Sequence, residues 1–249
     1  DPFCTDDTCL QYLTNVGARW AYHNAPYTLL GKVIENATGQ TLNGYTSQKL
    51  LSPIGMNGLY VNQAYNKLFF STARSMARFG LLILNGGNWD GSPIMSDSAY
   101  FDAMVNTSQS LNKSYGYLWW LNGKSSFMVP QSQLVFNGSL SPNAPSDMIA
   151  ALGKNGQIIN VVPSQNLVWI RMGNTAGNAL VPLSINNDIW DFINNMQCNS
   201  SGLENVGRSA NKKLLKVLDN LGRETQVVKN QLLFYFYNDG SIEKRIIIE

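Results

Sequence analysis

Histidine is nearly absent from this chain: His23 is the only one in 249 residues. The three cysteines, Cys4, Cys9 and Cys198, have no other imidazole to work with, so no metal site is expected, and no other cofactor either. Charge is also scarce. Lys, Arg, Asp and Glu make up 14% of the residues and the formal net charge is +2. No basic field exists to collect phosphates, which argues against nucleic acid as a partner. Nor does any run approach the roughly 18 apolar residues of a membrane-spanning helix. The opening D-P-F-C-T-D-D-T-C-L has neither an initiating Met nor a basic segment followed by an apolar one, so a processed form or a fragment is expected.

What the chain does have is apolar mass, 44% hydrophobic with 11% aromatic. That is enough for one large domain, or for a domain with a small module. Cys4 and Cys9 flank four polar residues and could close a small disulfide loop; a metal pair is the alternative. A disulfide would place the protein outside the cytosol, hence secreted, periplasmic or at the cell surface. Cys198 is left over.

Periodicity and punctuation give the elements. Cys9 to Thr14 reads as a short helix. Tyr27, Leu30, Val33, Ile34 and Ala37 recur at helical spacing up to Gly39, a natural stop. Leu42 to Leu50 reads as a helix ended by Ser52-Pro53, and Gly58-Leu59-Tyr60-Val61 as a short extended piece. Ser71 to Leu84 is a helix with Ser71 as N-cap and Ala73, Met76, Ala77, Gly80, Leu81 and Leu84 along its inner side. On it, Arg74 and Arg78 are expected to face solvent or pair with carboxylates. Asp97 to Val105 is another helix. Tyr115 to Trp120 is an aromatic strand belonging to a sheet core. Residues 123 to 145, with three prolines, are irregular and form a candidate pocket rim. Ile158 to Val162 and Leu167 to Met172 form a hairpin across Pro-Ser-Gln-Asn, and Val181 to Met196 is an amphipathic helix.

At about residue 198 the composition shifts through C-N-S-S-G, a linker-like stretch. Lys213 to Leu218, Leu232 to Tyr237 and Ser241 to Ile248 then read as strands, the last two around an Asp-Gly hairpin signal. The expected division is therefore 1–197 and a small β-rich module at 198–249.

Two short strings carry chemistry. The first is Tyr22-His23-Asn24, a phenol and a carboxamide two residues apart, in a turn held by Pro26 ahead of a helix that fixes their direction. The second is Lys154-Asn155-Gly156, an exposed ammonium at the head of a β-hairpin. Together, in this order, they resemble the serine β-lactamase and penicillin-binding-protein superfamily, in its class C β-lactamase-related branch of serine hydrolases. The resemblance spans about residues 1–197 and rests on Y-x-N-x-x-Y-x-L-L-G-x-V-I-E and the K-x-G box.

The resemblance implies an α+β fold: an antiparallel sheet flanked by helices, with a helical lobe and the site at their junction. It also implies a nucleophilic Ser in an S-x-x-K helix preceding the Y-x-N loop. No S-x-x-K lies upstream of Tyr22, so the N-terminal part of the same domain is expected to be missing from this chain. Ser110-Leu111-Asn112-Lys113 matches the pattern, but it falls after the loop and is rejected as the nucleophile. By the same resemblance Tyr22 would shuttle protons, and Asn24 would donate its amide to the substrate. Lys154 would supply positive charge, and the Gln157 N–H would complete an oxyanion hole. Gly156 would let substrate lie against the strand edge. Asn155 stands where Thr or Ser is common in penicillin-recognising members, which weakens the case for β-lactams. His23 is taken as non-catalytic.

The implied activity is acyl-enzyme hydrolysis of an ester, amide or peptide-like bond in a small-molecule or peptide-like substrate. The alternative is a non-catalytic cell-wall or peptide binder of the same fold. Residues 198–249 more loosely resemble secretion-linked modules of Bacteroidetes-type bacteria, implying secretion machinery or the cell surface as a partner.

Overall fold

The computed structural model describes residues 4–174, 179–196, 213–219 and 222–247. The chain divides into two compact units, one ending at Met196 and one beginning at Gln197. The linker-like stretch and Cys198 lie outside the described residues.

The expected helix at Cys9–Thr14 is not there. Cys4 and Cys9 are joined by a disulfide, and the N–H groups of Cys9 and Leu10 donate to the Asp6 carbonyl in a single turn. Leu10, Tyr12 and Leu13 are all exposed. Six residues with nothing to pack against are too few to hold a helix.

Helix α1 (Ala25–Thr38) ends where Gly39 takes a left-handed φ of 67° and its N–H donates to the Glu35 carbonyl. Its buried face, however, is Ala25, Thr28 and Gly31, while Leu30 and Val33 are exposed. Close packing decides this: a Cβ on Gly31 would come within 3.2 Å of Leu42. Helix α2 (Leu42–Thr46) does not stop at Ser52-Pro53. It widens into a π-turn (Ser47–Leu51) and closes with a last turn (Ser52–Ile54). The wider turn accommodates a ring that would strike a carbonyl in a regular α-helix.

Strands β1 (Gly58–Gln63) and β2 (Asn66–Ser71) form an antiparallel hairpin. Helix α3 (Ala73–Leu84) is capped by Thr72, whose side chain accepts from the Ser75 N–H; Ser71 instead donates to the Asn57 carbonyl. The buried residues are Ser75, Gly80, Leu82 and Ile83, and Leu81 is exposed. Arg78 donates to the Ile54 carbonyl, so it closes the end of the preceding helix rather than facing solvent or a carboxylate. Helix α4 (Ser98–Met104) starts from an Asp97 cap.

The aromatic run yields only a two-residue strand, β3 (Trp120–Leu121), because Leu118 has a φ of 66° and the chain reverses between Tyr115 and Trp120. It joins β4 (Ile149–Gly153), β5 (Gln157–Val162) and β6 (Leu167–Arg171) in an antiparallel sheet of order β6-β5-β4-β3. Period-two alternation divides β5 between two cores. Ile158 and Val162 pack with Trp120, Met148 and Trp190 of α5 (Leu183–Asn195); Ile159 and Val161 pack with Ile83 and Met104. The sheet is therefore covered by helices on both faces.

Gly80 is where α3 meets the sheet. A Cβ there would lie 2.5 Å from Val168 Cγ1 and 3.4 Å from Ile159 Cγ2. Gly80→Ala is expected to destabilise the unit by about 1–3 kcal/mol through overpacking, against a helix-propensity gain of about 1 kcal/mol. A lowered urea midpoint with an unchanged slope is the signature; a raised midpoint would mean that the helix can lift off the sheet.

In the second unit, β7 (Leu214–Leu218), β8 (Leu232–Tyr237) and β9 (Ile242–Ile246) form an antiparallel sheet with β8 in the middle. Val217, Leu233 and Tyr235 form its small core. The Asp239 carboxylate closes the hairpin by accepting from the Ser241 N–H.

Candidate active site

Tyr22 lies just before α1, in a box of aromatic rings. It stacks on Trp120 at 5.9 Å between centroids and meets Tyr115 edge-on at 6.2 Å; Trp20 is tilted 6.3 Å away. Such contacts leave the phenol few directions to point. Burial, and in smaller part Tyr27, raise its pKa above the usual phenol range. Tyr115 is raised by burial and then by Tyr22. Neither influence on Tyr22 favours phenolate, so it is a protonated donor at neutral pH.

Asn24 is the N-cap residue of α1, yet its side chain makes no capping bond. That work falls to His23, whose Nδ1 accepts the Ala25 N–H at 3.2 Å. The carboxamide is thus not tied to the helix end. Its backbone carbonyl accepts from both the N–H and the hydroxyl of Thr28.

The second string is a tight reversal between β4 and β5. Asn155 (φ 62°) and Gly156 (φ 76°) are both left-handed, which lets three residues turn the chain between the paired Gly153 and Gln157. Lys154 and Asn155 are exposed on this turn, and Lys154 makes no hydrogen bond or ion pair among the described residues. The Gln157 side chain reaches the end of β6. Its Nε2 donates to the Gly173 carbonyl at 2.5 Å, and its Oε1 accepts the Gly173 N–H at 3.2 Å. Arg171 donates to the Gly156 carbonyl at 2.7 Å and to the Asn174 carbonyl at 3.0 Å.

These strings, about 130 residues apart, line one cleft of about 860 Å³: Tyr22 and Asn24 on one side, Lys154, Asn155 and Gln157 on the other. Gly156 is not among its walls. It is buried and borders a second cavity of about 820 Å³, along with Arg171. The irregular segment 123–145 likewise contributes Val129, Pro130 and Gln131 to that second cavity and not to the first.

Several residues of the cleft had no sequence signal. The β1–β2 hairpin supplies a third wall through Gln63, Asn66, Leu68 and Phe70, with Tyr27 beneath it. Asn66 Oδ1 lies 3.5 Å from the hydroxyls of both Tyr27 and Thr28, tying the hairpin to α1. The chain reverses at Ala64, which takes a left-handed φ of 49°, a conformation that an alanine does not announce in the sequence. Ser110 and Lys113 are not walls of the cleft, and Lys113 Nζ donates instead to the Ser125 hydroxyl at 3.1 Å.

Residues 10–186 match the sequence model of the family described as Beta-lactamase. No curated protein matches the chain. Among solved structures, the fold is similar to a candidate 6-aminohexanoate-dimer hydrolase from Bacillus anthracis, with a TM-score of 0.56 and 24% identity over 76% of this chain and 48% of that one. A penicillin-binding protein homologue from Caulobacter crescentus gives a TM-score of 0.53 and 15% identity over 78% and 66%. A candidate beta-lactamase from Bacteroides dorei DSM 17855 gives 0.51 and 13% over 74% and 60%. The chain spans about half to two thirds of the length of these structures.

Proposed function

The chain belongs to the beta-lactamase family, and from that premise we propose that it is part of an exported serine hydrolase that cleaves an ester, amide or peptide-like bond through an acyl-enzyme. The observation that carries this reading is the convergence of Tyr22, Asn24, Lys154 and Gln157 on one cleft from two distant segments.

In this reading the nucleophilic serine belongs to protein beyond these 249 residues. Tyr22, protonated at neutral pH, gives its proton to the leaving group; it takes a proton from the serine only when a cation beside it offsets the effect of burial. Asn24 and Asn155 offer amides to the substrate. Lys154 attracts an anionic substrate group, and the Gln157 N–H receives the developing oxyanion. The hairpin wall, with Leu68 and Phe70 beside Gln63 and Asn66, suits a chain that is part apolar and part amide. One structural relative is named for a 6-aminohexanoate dimer, which supports an amide among the candidate substrates. The Cys4–Cys9 disulfide supports export, and residues 198–249 are assigned the role of docking to secretion machinery or the cell surface.

A fluorophosphonate probe is expected to modify a serine in the complete gene product and to leave the 249-residue chain unmodified. Modification of Ser110 in the isolated chain would overturn the assignment of the nucleophile. A second reading, a binder of cell-wall or peptide ligands without turnover, is favoured by the upward push on the Tyr22 phenol. A complete gene product that binds ligand but never accepts the probe would decide for it.

A further inference from the structure

The Gly156–Gln157 peptide stands between the two cavities. Gln157 lines the cleft with Lys154 and Asn155, whereas Gly156 lines the second cavity with Arg171 and Asn174. In a trans peptide the carbonyl and the following N–H lie in one plane and point in opposite directions. The carbonyl of this unit belongs to Gly156 and its N–H to Gln157. Arg171, the last residue of β6 and paired in register with Ile158, donates to that carbonyl at 2.7 Å from the second-cavity side. A second bond, to the Asn174 carbonyl at 3.0 Å, fixes the guanidinium plane. Fixing the carbonyl from one side fixes the N–H on the other.

We propose that Arg171 is a positioning residue for the oxyanion hole: its bond to the Gly156 carbonyl sets the plane of the Gly156–Gln157 peptide and presents the Gln157 N–H to the cleft. This rests on the reading of Gln157 as an oxyanion donor. The turn needs such a brace. Asn155 and Gly156 are consecutive left-handed residues at a kink in the short 3-10 turn Lys154–Gly156, so the peptide that follows lies where that turn gives way to β5. The Gln157 side chain pins the same corner to Gly173, but it acts beyond the Cα and does not touch the preceding peptide. Arg171 acts on that peptide directly. A charge-assisted bond at a carbonyl also polarises its own N–H, making it a better donor to a developing negative charge.

The test uses the 15N-labelled complete gene product and benzylphosphonate as a stand-in for the oxyanion. In the wild-type protein the Gln157 amide resonance is expected to move downfield as the phosphonate is added. In Arg171→Met the free amide should move upfield, its response should disappear and the dissociation constant should rise about tenfold. Arg171→Lys, which keeps a charged donor within reach of the Gly156 carbonyl, should restore the response in part, which a merely structural role would not require. Should Arg171→Met fail to fold, Arg171→Leu, which likewise has no donor, carries the same expectation. A Gln157 amide that ignores the phosphonate in the wild-type protein overturns the oxyanion reading of the cleft, and this proposal with it. A response that persists unchanged in Arg171→Met overturns the proposal alone.

Discussion

Tyr22→Phe in the complete gene product is expected to lower the acylation rate by about 10²–10⁴-fold, with little change in substrate binding. The ring stays and only the hydroxyl goes. The stack on Trp120 and the edge contact with Tyr115 survive, so the loop should keep its shape. What disappears is the proton that, in the proposed reading, the buried phenol gives to the leaving group. A pH–rate profile gives a second check. Because burial raises the phenol pKa, the form that donates a proton persists to the alkaline side of an ordinary tyrosine, so no loss of that form is expected near neutral pH. Single-turnover kinetics with an ester and an amide of matched acyl group would separate the step: the amide, with the poorer leaving group, should suffer more. Equal, full rates in the variant would remove Tyr22 from the chemistry.

Trp190→Ala is expected to be the most damaging substitution in the core of the first unit, at about 3–5 kcal/mol, and to lower the melting temperature by roughly 10 °C. Trp190 is fully buried on α5, and its indole N–H donates to Asn160 Oδ1 at 3.1 Å and lies 3.2 Å from Met148 Sδ. Asn160 in turn donates to Asn186 Oδ1 at 2.7 Å, and Asn186 donates to the Ser141 hydroxyl at 3.1 Å. Truncation opens a large cavity and strips Asn160 of a donor in the same step. Trp190→Phe should cost less, since most of the volume remains. Asn160 lies three residues beyond Gln157 on β5, so loosening here should also blur the cleft edge, seen as faster hydrogen exchange along the strand. A loss below about 1 kcal/mol for Trp190→Ala would mean that α5 is not part of the cooperative core.

The parts of this fold legible in the sequence are those with local causes. Gly39 marks the end of α1 because only a left-handed residue closes the last turn there. Pro163 to Asn166 mark the β5–β6 reversal, with Asn166 at a φ of 49°. Tyr22 and Lys154 were legible as members of short strings, although nothing in either string states that they share a cleft. What misled was reading inner faces from apolar count. In α1 the helix that packs is Ala25, Thr28 and Gly31, because the neighbouring helix comes too close for anything larger. In α3 Met76, Gly80 and Leu84 do face the core, but Leu82 and Ile83 are its most buried side chains and Leu81 is exposed. Strand β4 escaped notice because Ala150, Ala151 and Gly153 carry no β-preference of their own; its pairing with β5 makes it a strand. The bond from Arg171 was beyond the sequence for the same reason, since its partner is a backbone carbonyl 15 residues away.

The most direct measurement is a crystal structure of the complete gene product after reaction with a fluorophosphonate. The account predicts a phosphonyl group in the cleft, with one oxygen within about 2.7–3.1 Å of the Gln157 amide nitrogen. It also predicts the Tyr22 hydroxyl on the leaving-group side and the Lys154 ammonium facing the same space. An adduct seated elsewhere, or one in this cleft with the Gln157 N–H turned away from every phosphonyl oxygen, would contradict it.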